Sequence, residues 1–512
     1  METSFRKTFR LNLKTLRKPN NHTFQYQGKN MYHSENESYQ RAINALNCLQ
    51  SNKQVLADPS SCQFAESKIA TVTGFFSKCG LDVEFVEKNL PVIHVAGTKG
   101  KGSTCAYCES ILRQYGYKTG FYSSPHLMSV RETIRINGQP ISRQKFSDYF
   151  WEIYRKLCCS DNHNEAPKMP PYFTFLTIMA FKVFVEEKVD VAVIEVGIGG
   201  EYDCTNVLKN TPVVGITSID FDHVKLLGNT LEEIAWQKAG IMKRNCTAIT
   251  MSNQPAAVMK ILREKASERN CTLFVAANMG PYFVMNRIRL GICSPAQALN
   301  ASLGAQLANA WMNPQLYKKD SIMSFAPVLS LTNEVCSGVS SCHWPGRTQI
   351  FRYSDKLTFY LDGAHTCESI KNCVQWYSES TPKPSKRVLV FNITGNRDHE
   401  PLMANLIRNN QFDYAFFCPN AIDVKKTDHL EYPAQYENRN EDFERSKQYC
   451  SDWVRMSKCD ESNVRSFENV NDTVEHLKEN VEDSNLHVLI TGSLHLVAAF
   501  LNVLNPHHDA QL

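Results

Sequence analysis

A glycine-rich loop with two lysines, residues 97–103, constrains the fold of this chain more than any other stretch. The apolar run 91–96 before it predicts a buried parallel strand. From Ser103 onwards, apolar residues recur at helical spacing until Gly116, which predicts a helix. In a strand, glycine turn and helix of this kind, backbone N–H groups and the helix dipole both favour a bound phosphate. The stretch therefore predicts a phosphate-binding α/β domain.

The spacing within this loop departs from the common pattern G-x-x-x-x-G-K-[ST]. Val95 occupies the position of the outer glycine, and Gly102 follows Lys101 where serine or threonine is usual. The variant G-T-x-G-K-G-S fits instead. We expect Lys101 to reach the β- and γ-phosphates and the hydroxyl of Ser103 or Thr104 to reach Mg²⁺. The strand and the helix on either side argue against the alternative, a flexible basic turn.

Length and composition are those of an ordinary soluble globular protein. The chain has 512 residues, of which 43% are apolar and 21% charged, and this length suggests two to four domains. It contains no run of about 18 apolar residues, so we expect no stable membrane anchoring. Residues 1–30 carry a net charge of +6, and since the whole chain carries +4, the remaining residues carry −2. A body so near neutral predicts no nucleic-acid binding.

The amino-terminal segment is basic and poor in acids. Residues 1–30 hold seven lysines and arginines against one acid, with apolar side chains between them. This pattern predicts a mitochondrial presequence, and a disordered basic tail is the alternative. Met31 follows directly and could start a shorter, cytosolic form. We therefore expect the protein in the mitochondrion and in the cytoplasm.

The cysteines show no disulfide framework. All eighteen are scattered along the chain, which indicates reduced thiols. Cys105 and Cys108 form a C-x-x-C within the helix after the glycine loop. Since no second pair follows at zinc spacing, we favour packing over metal or redox chemistry for this pair.

Polar residues follow three further predicted strands. Ser124 comes just after the strand 119–122, Glu195 ends the strand 190–195, and His223 follows the strand 213–219. In an open parallel sheet the carboxyl ends of the strands share one crevice, where ligands bind. We therefore expect the glycine loop and these three side chains to meet at one place.

The pattern divides the chain into two α/β units. We predict an N-terminal P-loop ATPase domain over 35–341, a joint over 342–350 and a smaller Rossmann-like domain over 351–512. The second unit has predicted strands at 357–361, 388–391, 414–417 and 487–490. Further helices are predicted at 37–57, 68–79, 146–157, 174–187, 230–241 and 300–312, the fifth with a capping box from Thr230 and Glu233. Residues 313–341 are expected to be irregular, and 424–465 to form a surface insertion.

Several long motifs match a known family in their expected order. HVAGTKGKGST, FYSSPHL, VAVIEVGIGGEYDCTN, DHVKLLGNTLEEIAWQKAGI, WPGRTQ, LDGAHTCES and TGSLHL fall between about residues 38 and 503. The chain resembles the folylpolyglutamate synthase family of the Mur ligase superfamily, and YQRAINALNCLQSN and RINGQPIS resemble its eukaryotic members. Ala296-Gln297, Asn229 and Asn396 depart from the family pattern, which leaves the fine geometry of domain closure open.

The resemblance implies roles for individual residues. ATP contacts are implied for Gly97, Thr98, Lys99, Gly100, Lys101, Gly102, Ser103, Thr104, Asn300, Arg347 and Asp362. Mg²⁺-binding positions, in two sites, are implied for Ser124, Glu195 and His223, and K⁺ is a further candidate cofactor. His365 also matches an ATP contact of the family, and Lys101 and Lys238 are expected to act in catalysis. Because the tetrahedral intermediate formed by glutamate attack needs cationic or N–H support, Arg347 and His365 are further catalytic candidates. Lys238 matches a lysine that many members of the superfamily carry as a carbamate.

Two of these residues have ordinary alternatives. Mg²⁺ prefers oxygen, so His223 could be a packing or hydrogen-bonding residue instead of a ligand. Lys238 could be a helix lysine paired with Glu232 or Glu233, which would contribute under about 1 kcal/mol.

Alternatives also exist for the residues of the joint, the second unit and the aromatic cluster. Arg347 could form a structural salt bridge, and Asp362 could cap the following helix. Tyr172, Phe173 and Phe175 could stack on a flat pterin ring or pack in the core, and for Phe175 we favour the core.

The resemblance implies an ATP-dependent amide ligase. It would add L-glutamate to the γ-carboxyl of tetrahydrofolates and their polyglutamates through an acyl phosphate. Because two anions must then approach each other, lysine, Mg²⁺ and N–H groups have a physical purpose here. The alternatives are dihydrofolate synthase or a bifunctional enzyme and, in other classes, a non-catalytic nucleotide-binding regulator or a P-loop kinase. We expect only small-molecule partners, namely the folate, L-glutamate and ATP, and a monomer.

Overall fold

The protein is described here by a computed structural model that covers residues 28–49, 65–159, 169–318, 323–394, 398–409, 412–422, 439–479 and 485–505. Within these ranges it forms two α/β units, each built on its own sheet. This confirms the predicted class of a larger parallel sheet followed by a smaller one. The predicted presequence lies outside the described residues as far as residue 27, and a first helix begins at Gly28.

The larger sheet has the strand order β4-β3-β2-β5-β1-β6-β7-β8-β9. Its strands are β1 Val92–Ala96, β2 Thr119–Tyr122, β3 Ile134–Ile136, β4 Gln139–Pro140, β5 Val191–Glu195, β6 Val213–Ile216, β7 Thr247–Thr250, β8 Thr272–Val275 and β9 Met323–Phe325. The pairings are parallel except at one edge, where β3 is antiparallel to β2 and to β4.

Helices cover the larger sheet. They are α1 Gly28–Asn47, α2 Ala65–Lys78, α3 Val83–Asn89, α4 Lys101–Gln114, α5 Arg143–Cys158, α6 Tyr172–Glu186, α7 Val224–Leu227, α8 Leu231–Ala239, α9 Ala256–Glu268, α10 Gly280–Met285, α11 Pro295–Met312 and α12 Asn333–Ser341. Cys105 and Cys108 of α4 are fully buried among apolar side chains, which agrees with packing. The predicted capping box of Thr230 and Glu233 opens α8.

The centre of the larger sheet positions the candidate site. Strands β2, β5, β1 and β6 are neighbours and run parallel, with Val95 of β1 beside Glu195 of β5. Every residue of β1 and β5 is buried, because both faces of a central parallel strand are covered by helices. The buried His94 in β1 is satisfied by the hydroxyl of Thr205 at 2.8 Å. The carboxyl ends of these four strands therefore open onto the same edge.

The smaller sheet has the order β10-β11-β15-β12-β13-β14, and only β10 runs antiparallel to its neighbour. Its strands are β10 Gln349–Arg352, β11 Leu357–Leu361, β12 Lys386–Phe391, β13 Tyr414–Phe417, β14 Val464–Ser466 and β15 Leu486–Thr491. Its helices are α13 Cys367–Ser380, α14 Glu400–Asn409, α15 Arg439–Ser457, α16 Val470–Glu479 and α17 Leu494–Leu504.

Three predictions about local structure are wrong in part. The first helix ends at Asn47, not at residue 57. The stretch expected to be irregular contains β9 and α12, and the expected insertion contains α15, whose charged sequence hides the spacing of its buried side chains. No helix in the described ranges is both long and apolar enough to cross a bilayer.

A loop of the first unit is embedded in the second. Leu127 and Met128 are buried in the core cluster of the smaller sheet, beside residues such as Leu496. The carboxylate of Glu132 accepts hydrogen bonds from the backbone N–H groups of both residues, at 3.0 and 2.9 Å. This apolar contact ties the two units together beside the crevice.

Candidate active site

The glycine loop adopts a backbone that larger residues would disturb. Gly97 and Gly100 have φ angles of 150° and 84°. A Cβ atom on Gly97 would lie 1.7 Å from the hydroxyl oxygen of Thr217, and one on Gly100 would lie 2.3 Å from Oδ1 of Asn300. Gly100 is also the N-cap of α4, and as a glycine it offers no capping side chain to the first N–H groups of that helix. A close backbone at a helix N-terminus favours a bound phosphate.

The loop is fixed to the end of β6. The N–H of Thr98 donates to the carbonyl of Ser218 at 2.8 Å, and its hydroxyl donates to the carbonyl of Asp220 at 3.0 Å. The N–H of Asp220 returns a hydrogen bond to the same hydroxyl at 3.0 Å. The loop is therefore held by the fold before any ligand arrives.

One cleft of about 2060 Å³ lies between the two units and collects most of the predicted residues. From the larger sheet it is lined by Thr98, Lys99, Gly100, Lys101, Gly102, Ser103, Ser124, Glu195, His223 and Asn300. From the joint and the smaller sheet it is lined by Arg347, Asp362 and His365. Gly97, Thr104 and Lys238 do not line the cleft. The structure therefore brings together the residues that sequence spacing had placed at separate strand ends.

Glu195 is the buried acid of the cleft. Its carboxylate accepts hydrogen bonds from the backbone N–H groups of Ser124, at 3.2 Å, and Gly102. Burial raises the pKa of Glu195 in spite of the nearby positive charges of Lys101 and Arg347. Because desolvation of the anion dominates, a cation bound against this carboxylate would recover lost electrostatic energy.

The three predicted metal positions all lie in the cleft but differ in exposure. Within the described residues, no group of three or more His, Cys, Asp and Glu side chains is arranged to hold a metal ion. His223 has a φ angle of 48° and an exposed imidazole, with its Nε2 3.9 Å from the carboxylate of Asp222. The donor set of Glu195 and Ser124 fits Mg²⁺, which is usually held by one or two carboxylates together with phosphate oxygens of the substrate.

Lys238 is buried and forms neither of the ion pairs considered for it. Its Nζ donates to the carbonyl of Gly97 at 2.8 Å. Glu233 instead accepts hydrogen bonds at the start of α8, as the acid of the capping box. Burial, and then the positive charge of Lys101, lower the pKa of Lys238 to about 7. The amine is therefore substantially neutral near pH 7, which ordinary lysines are not.

The second unit contributes an acid and an arginine. Asp362 is buried at the end of β11, and its carboxylate accepts from the N–H of Thr348 at 2.9 Å. Burial raises its pKa, and the charge of Arg347 opposes that rise. The N-cap role considered as an alternative for Asp362 is not found, because Thr366 caps α13. Arg347 forms no ion pair with a carboxylate among the residues described, so the structural salt bridge is not supported either.

Asn300 belongs to a buried network behind the loop. Its Nδ2 donates to Oε1 of Gln297 at 2.9 Å, and Gln297 in turn donates to the hydroxyl of Ser103 at 3.3 Å. The hydroxyl of Thr104 lies 3.5 Å from Oδ1 of Asn300. The Ala296-Gln297 departure from the family pattern therefore retains the glutamine that holds the loop.

The three aromatic candidates occupy two environments. Tyr172 and Phe173 are half-buried and line the cleft, and the Phe173 ring packs close to Gly197. Phe175 is fully buried, with its ring centroid 4.9 Å from that of Phe150. Phe175 is therefore a core residue, as the sequence favoured, and its candidate folate contact is not supported because its side chain does not line the cleft.

The sequence did not single out two residues beside the loop. The indole of Trp344 would lie 3.3 Å from a Cβ atom on Gly102, and its ring centroid is 5.2 Å from that of Phe121. The buried guanidinium of Arg135 lies 4.9 Å from the centroid of the indole. The tryptophan of the WPGR motif was the available signal for this contact, whereas nothing near Arg135 in the sequence indicated it.

Comparison with known proteins agrees with this geometry. Residues 346–494 match the family described as "Mur ligase, glutamate ligase domain". The human mitochondrial folylpolyglutamate synthase is 43% identical over 420 residues, covering 76% of this chain and 69% of that protein. The chain belongs to the folylpolyglutamate synthase family. A Saccharomyces cerevisiae folylpolyglutamate synthase is 34% identical, covering 93% of this chain and 89% of its own.

Solved folylpolyglutamate synthases share the fold. The Mycobacterium tuberculosis folylpolyglutamate synthase complexed with ADP matches with a TM-score of 0.69 at 24% identity. The match covers 92% of this chain and 99% of that one. The shared fold therefore extends over both units.

Proposed function

We propose that this folylpolyglutamate synthase family member adds L-glutamate to the γ-carboxyl of tetrahydrofolates and their polyglutamates, converting ATP to ADP and phosphate. The observation that carries the proposal is the cleft itself. A glycine loop at a helix N-terminus and a buried acid face an arginine and a histidine from the second unit. A carboxylate must be phosphorylated before an amine can displace its oxygen, and such a cleft holds the nucleotide and the acceptor together.

In this proposal the chain offsets the repulsion between two anions. Lys101 stands at the first position of α4, and the loop N–H groups lie around it. Together they would stabilise the γ-phosphoryl group as the substrate carboxylate approaches it. Gly97 and Thr104 would support the loop and not contact the phosphate directly. The carbonyl of Gly97 accepts a hydrogen bond from Lys238, and the hydroxyl of Thr104 contacts Asn300.

Mg²⁺ fits the donors that the cleft offers. Glu195 and Ser124 would hold it, with His223 at the exposed side as a candidate for a second site. Bound there, the ion would neutralise charge on the phosphate oxygens. The buried Glu195 carboxylate, held by two backbone N–H groups, is oriented for this before the ion arrives. K⁺ remains a candidate without a residue assigned to it.

Lys238 is proposed to carry a carbamate. A carbamate forms from a neutral amine and carbon dioxide, and burial lowers the pKa of Lys238 to about 7, so a large fraction of the amine is neutral near pH 7. The nitrogen of a carbamate retains one hydrogen, so its bond to the carbonyl of Gly97 can persist. The new anion would then lie behind the phosphate loop and add negative charge toward the metal positions.

Arg347 and His365 are proposed to act on the incoming glutamate and on the intermediate that it forms. Nδ1 of His365 donates to the carbonyl of Gly363 at 2.8 Å, which makes Nε2 the acceptor nitrogen of the neutral ring. Arg347 would stabilise the tetrahedral intermediate that forms when the glutamate amine attacks the acyl phosphate. Asp362 keeps Thr348, the neighbour of Arg347, in place. Tyr172 and Phe173 would contact the pterin ring.

Cellular and domain assignments complete the proposal. Human and bovine relatives are named as mitochondrial, which supports a mitochondrial location for this chain. A cytosolic form starting at Met31 and a monomeric state are our proposals. We also propose domain limits at 35–341 and 351–512 with a joint between them, since α12 ends at Ser341 and β10 of the smaller sheet begins at Gln349, in the last residues of the joint.

Incorporation of radiolabelled glutamate tests the function directly. The full chain is incubated with tetrahydrofolate, ATP and labelled glutamate, with and without Mg²⁺, and Lys101→Met is run beside it. We expect incorporation that requires ATP and Mg²⁺ and is lost in the variant. A parallel arm with dihydropteroate tests dihydrofolate synthase, the competing activity. No incorporation with either acceptor would contradict the proposal and leave a nucleotide-binding regulator.

A further inference from the structure

The two lysines of the glycine loop point to different partners. Nζ of Lys101 lies 3.5 Å from the carbonyl of Thr98, within its own loop. Nζ of Lys99 instead reaches across the cleft and donates to the hydroxyl of Thr366 at 3.0 Å. Thr366 belongs to the second unit, 267 residues further along the chain. Although both lysines were predicted as ATP contacts, only Lys101 stays on the nucleotide side.

The backbone of Lys99 is fixed by hydrogen bonds within its own unit. An isolated β-bridge pairs Lys99 with Ser218, whose hydroxyl donates to the Lys99 carbonyl at 3.3 Å. Only the side chain remains free to choose a partner. It has two within reach, because Nζ also lies 3.5 Å from the carboxylate of Asp220 on its own unit.

Thr366 is well placed to transmit this contact. It is the N-cap of α13 and directly follows His365. Its hydroxyl oxygen accepts from the N–H of Ser369 at 3.4 Å, and a hydroxyl has two acceptor sites. The second site can therefore take the Lys99 ammonium without loss of the cap.

We propose that Lys99 is a positioning residue that holds the cleft closed, and not a nucleotide ligand. When the cleft closes, its ammonium binds Thr366 and fixes the start of α13, with His365, over the phosphate loop. When the units separate, Thr366 moves out of reach and the ammonium keeps Asp220. A charge-assisted bond made only in the closed state favours that state, and the effect on turnover rests on the proposed function.

A double-mutant cycle on the full-length protein tests this role. Lys99→Met removes the charge and keeps the aliphatic stem, and Thr366→Val removes the acceptor. Lys260→Met, at an exposed lysine of α9, is the matched control for the loss of one lysine charge. Thr366→Ser keeps the hydroxyl and should restore wild-type behaviour. The readouts are kcat for glutamate incorporation, the Kd of the magnesium complex of a non-hydrolysable ATP analogue, and small-angle scattering with that analogue bound.

For closure, we expect Lys99→Met and Thr366→Val each to lower kcat by about tenfold and to enlarge the nucleotide-bound protein. The double variant should fall within about twofold of either single one, because both remove the same bond. The Kd for the analogue should change by less than about twofold in Lys99→Met, and Lys260→Met should leave both kcat and Kd unchanged.

Other outcomes overturn the inference. A rise in Kd of more than about fivefold in Lys99→Met but not in Thr366→Val would make Lys99 a phosphate ligand. Additive effects of the two substitutions, or no effect of either, would show that the Lys99–Thr366 hydrogen bond does not hold the cleft closed. The scattering and binding readouts need no turnover. If the wild type incorporates no glutamate, the proposed function fails while closure is still measured.

Discussion

The two walls of the cleft differ in how their charged groups are held. On the side of the larger sheet, Glu195 lines the cleft and Lys238 lies behind the phosphate loop, and both are buried and bonded to backbone groups. On the opposite wall, Arg347 and His365 are half-buried and bond to carbonyls of their own short turn. The first wall is complete within one sheet, whereas the second depends on how the two units approach each other.

This difference indicates that the two walls have different roles in the reaction. Groups that bind nucleotide and metal gain from a rigid, desolvated setting, because little reorganisation is then needed when the ligand binds. Groups that act on the acyl phosphate must arrive after substrates have entered, so they belong on a unit that can move. Leu127 and Met128, embedded in the second core, supply the lasting contact between the units, and Lys99 the reversible one.

The largest expected effect lies on the rigid wall. Glu195→Gln keeps the shape of the side chain and removes its charge, so kcat/KM should fall by about 10³-fold. The steady-state rate is measured over a series of Mg²⁺ concentrations. Glu264→Gln, on the exposed surface of α9, should leave the rate unchanged. Full activity of Glu195→Gln at the Mg²⁺ concentration that saturates the wild type would show that the buried charge of Glu195 is not required.

Arg347 tests the mobile wall. Arg347→Ala should lower kcat/KM by more than about tenfold, because the arginine acts only when the units close. Binding of a non-hydrolysable ATP analogue should change much less than the rate. Arg352→Ala, on β10 and exposed, is the control. An unchanged kcat/KM in Arg347→Ala would show that catalysis does not need this arginine and that the residues of the larger sheet are sufficient.

The lowered pKa of Lys238 gives a pH dependence. Below a pKa of about 7 the amine takes up a proton and cannot form a carbamate. With bicarbonate present, activity should be about tenfold lower near pH 6 than near pH 8, following the neutral fraction. Stability should rise with pH between about 7 and about 10, because only the unfolded state then binds that proton.

Two controls separate this from a general pH effect. Lys238→Ala should be weakly active at every pH, and removal of bicarbonate should slow the wild type but not the variant. Mass spectrometry under native conditions should detect the added carbon dioxide. Wild-type activity in Lys238→Ala would contradict the carbamate.

The smallest effect is expected at the aromatic end of the cleft. Tyr172→Ala should raise KM for the folate by about fivefold and leave KM for ATP unchanged, because a ring on a flat ligand contributes modestly. Phe175→Leu, in the core, should change neither constant, although it lowers stability. Equal KM values for folate in wild type and Tyr172→Ala would place the pterin elsewhere.

Local patterns predicted the parts of the fold that depend on local physics. The glycine loop, the strand before it and the Thr230 cap follow from neighbours in sequence, and the structure contains all three. The helix Arg439–Ser457 was missed because its charged residues mask the apolar spacing. Phe175 and Phe173 are alike in sequence, and only packing separates the core ring from the one in the cleft.

By itself the sequence determined the phosphate loop, the α/β class and the strand ends at which polar residues gather, because glycine geometry and strand hydrophobicity are local properties. Tertiary structure alone decided that Lys238 is buried behind the loop and that Lys99 reaches Thr366. The physical reason is that burial and charge partners depend on residues far away in the chain. The local sequence around a lysine therefore does not show whether its side chain is solvated, buried or hydrogen-bonded across a cleft.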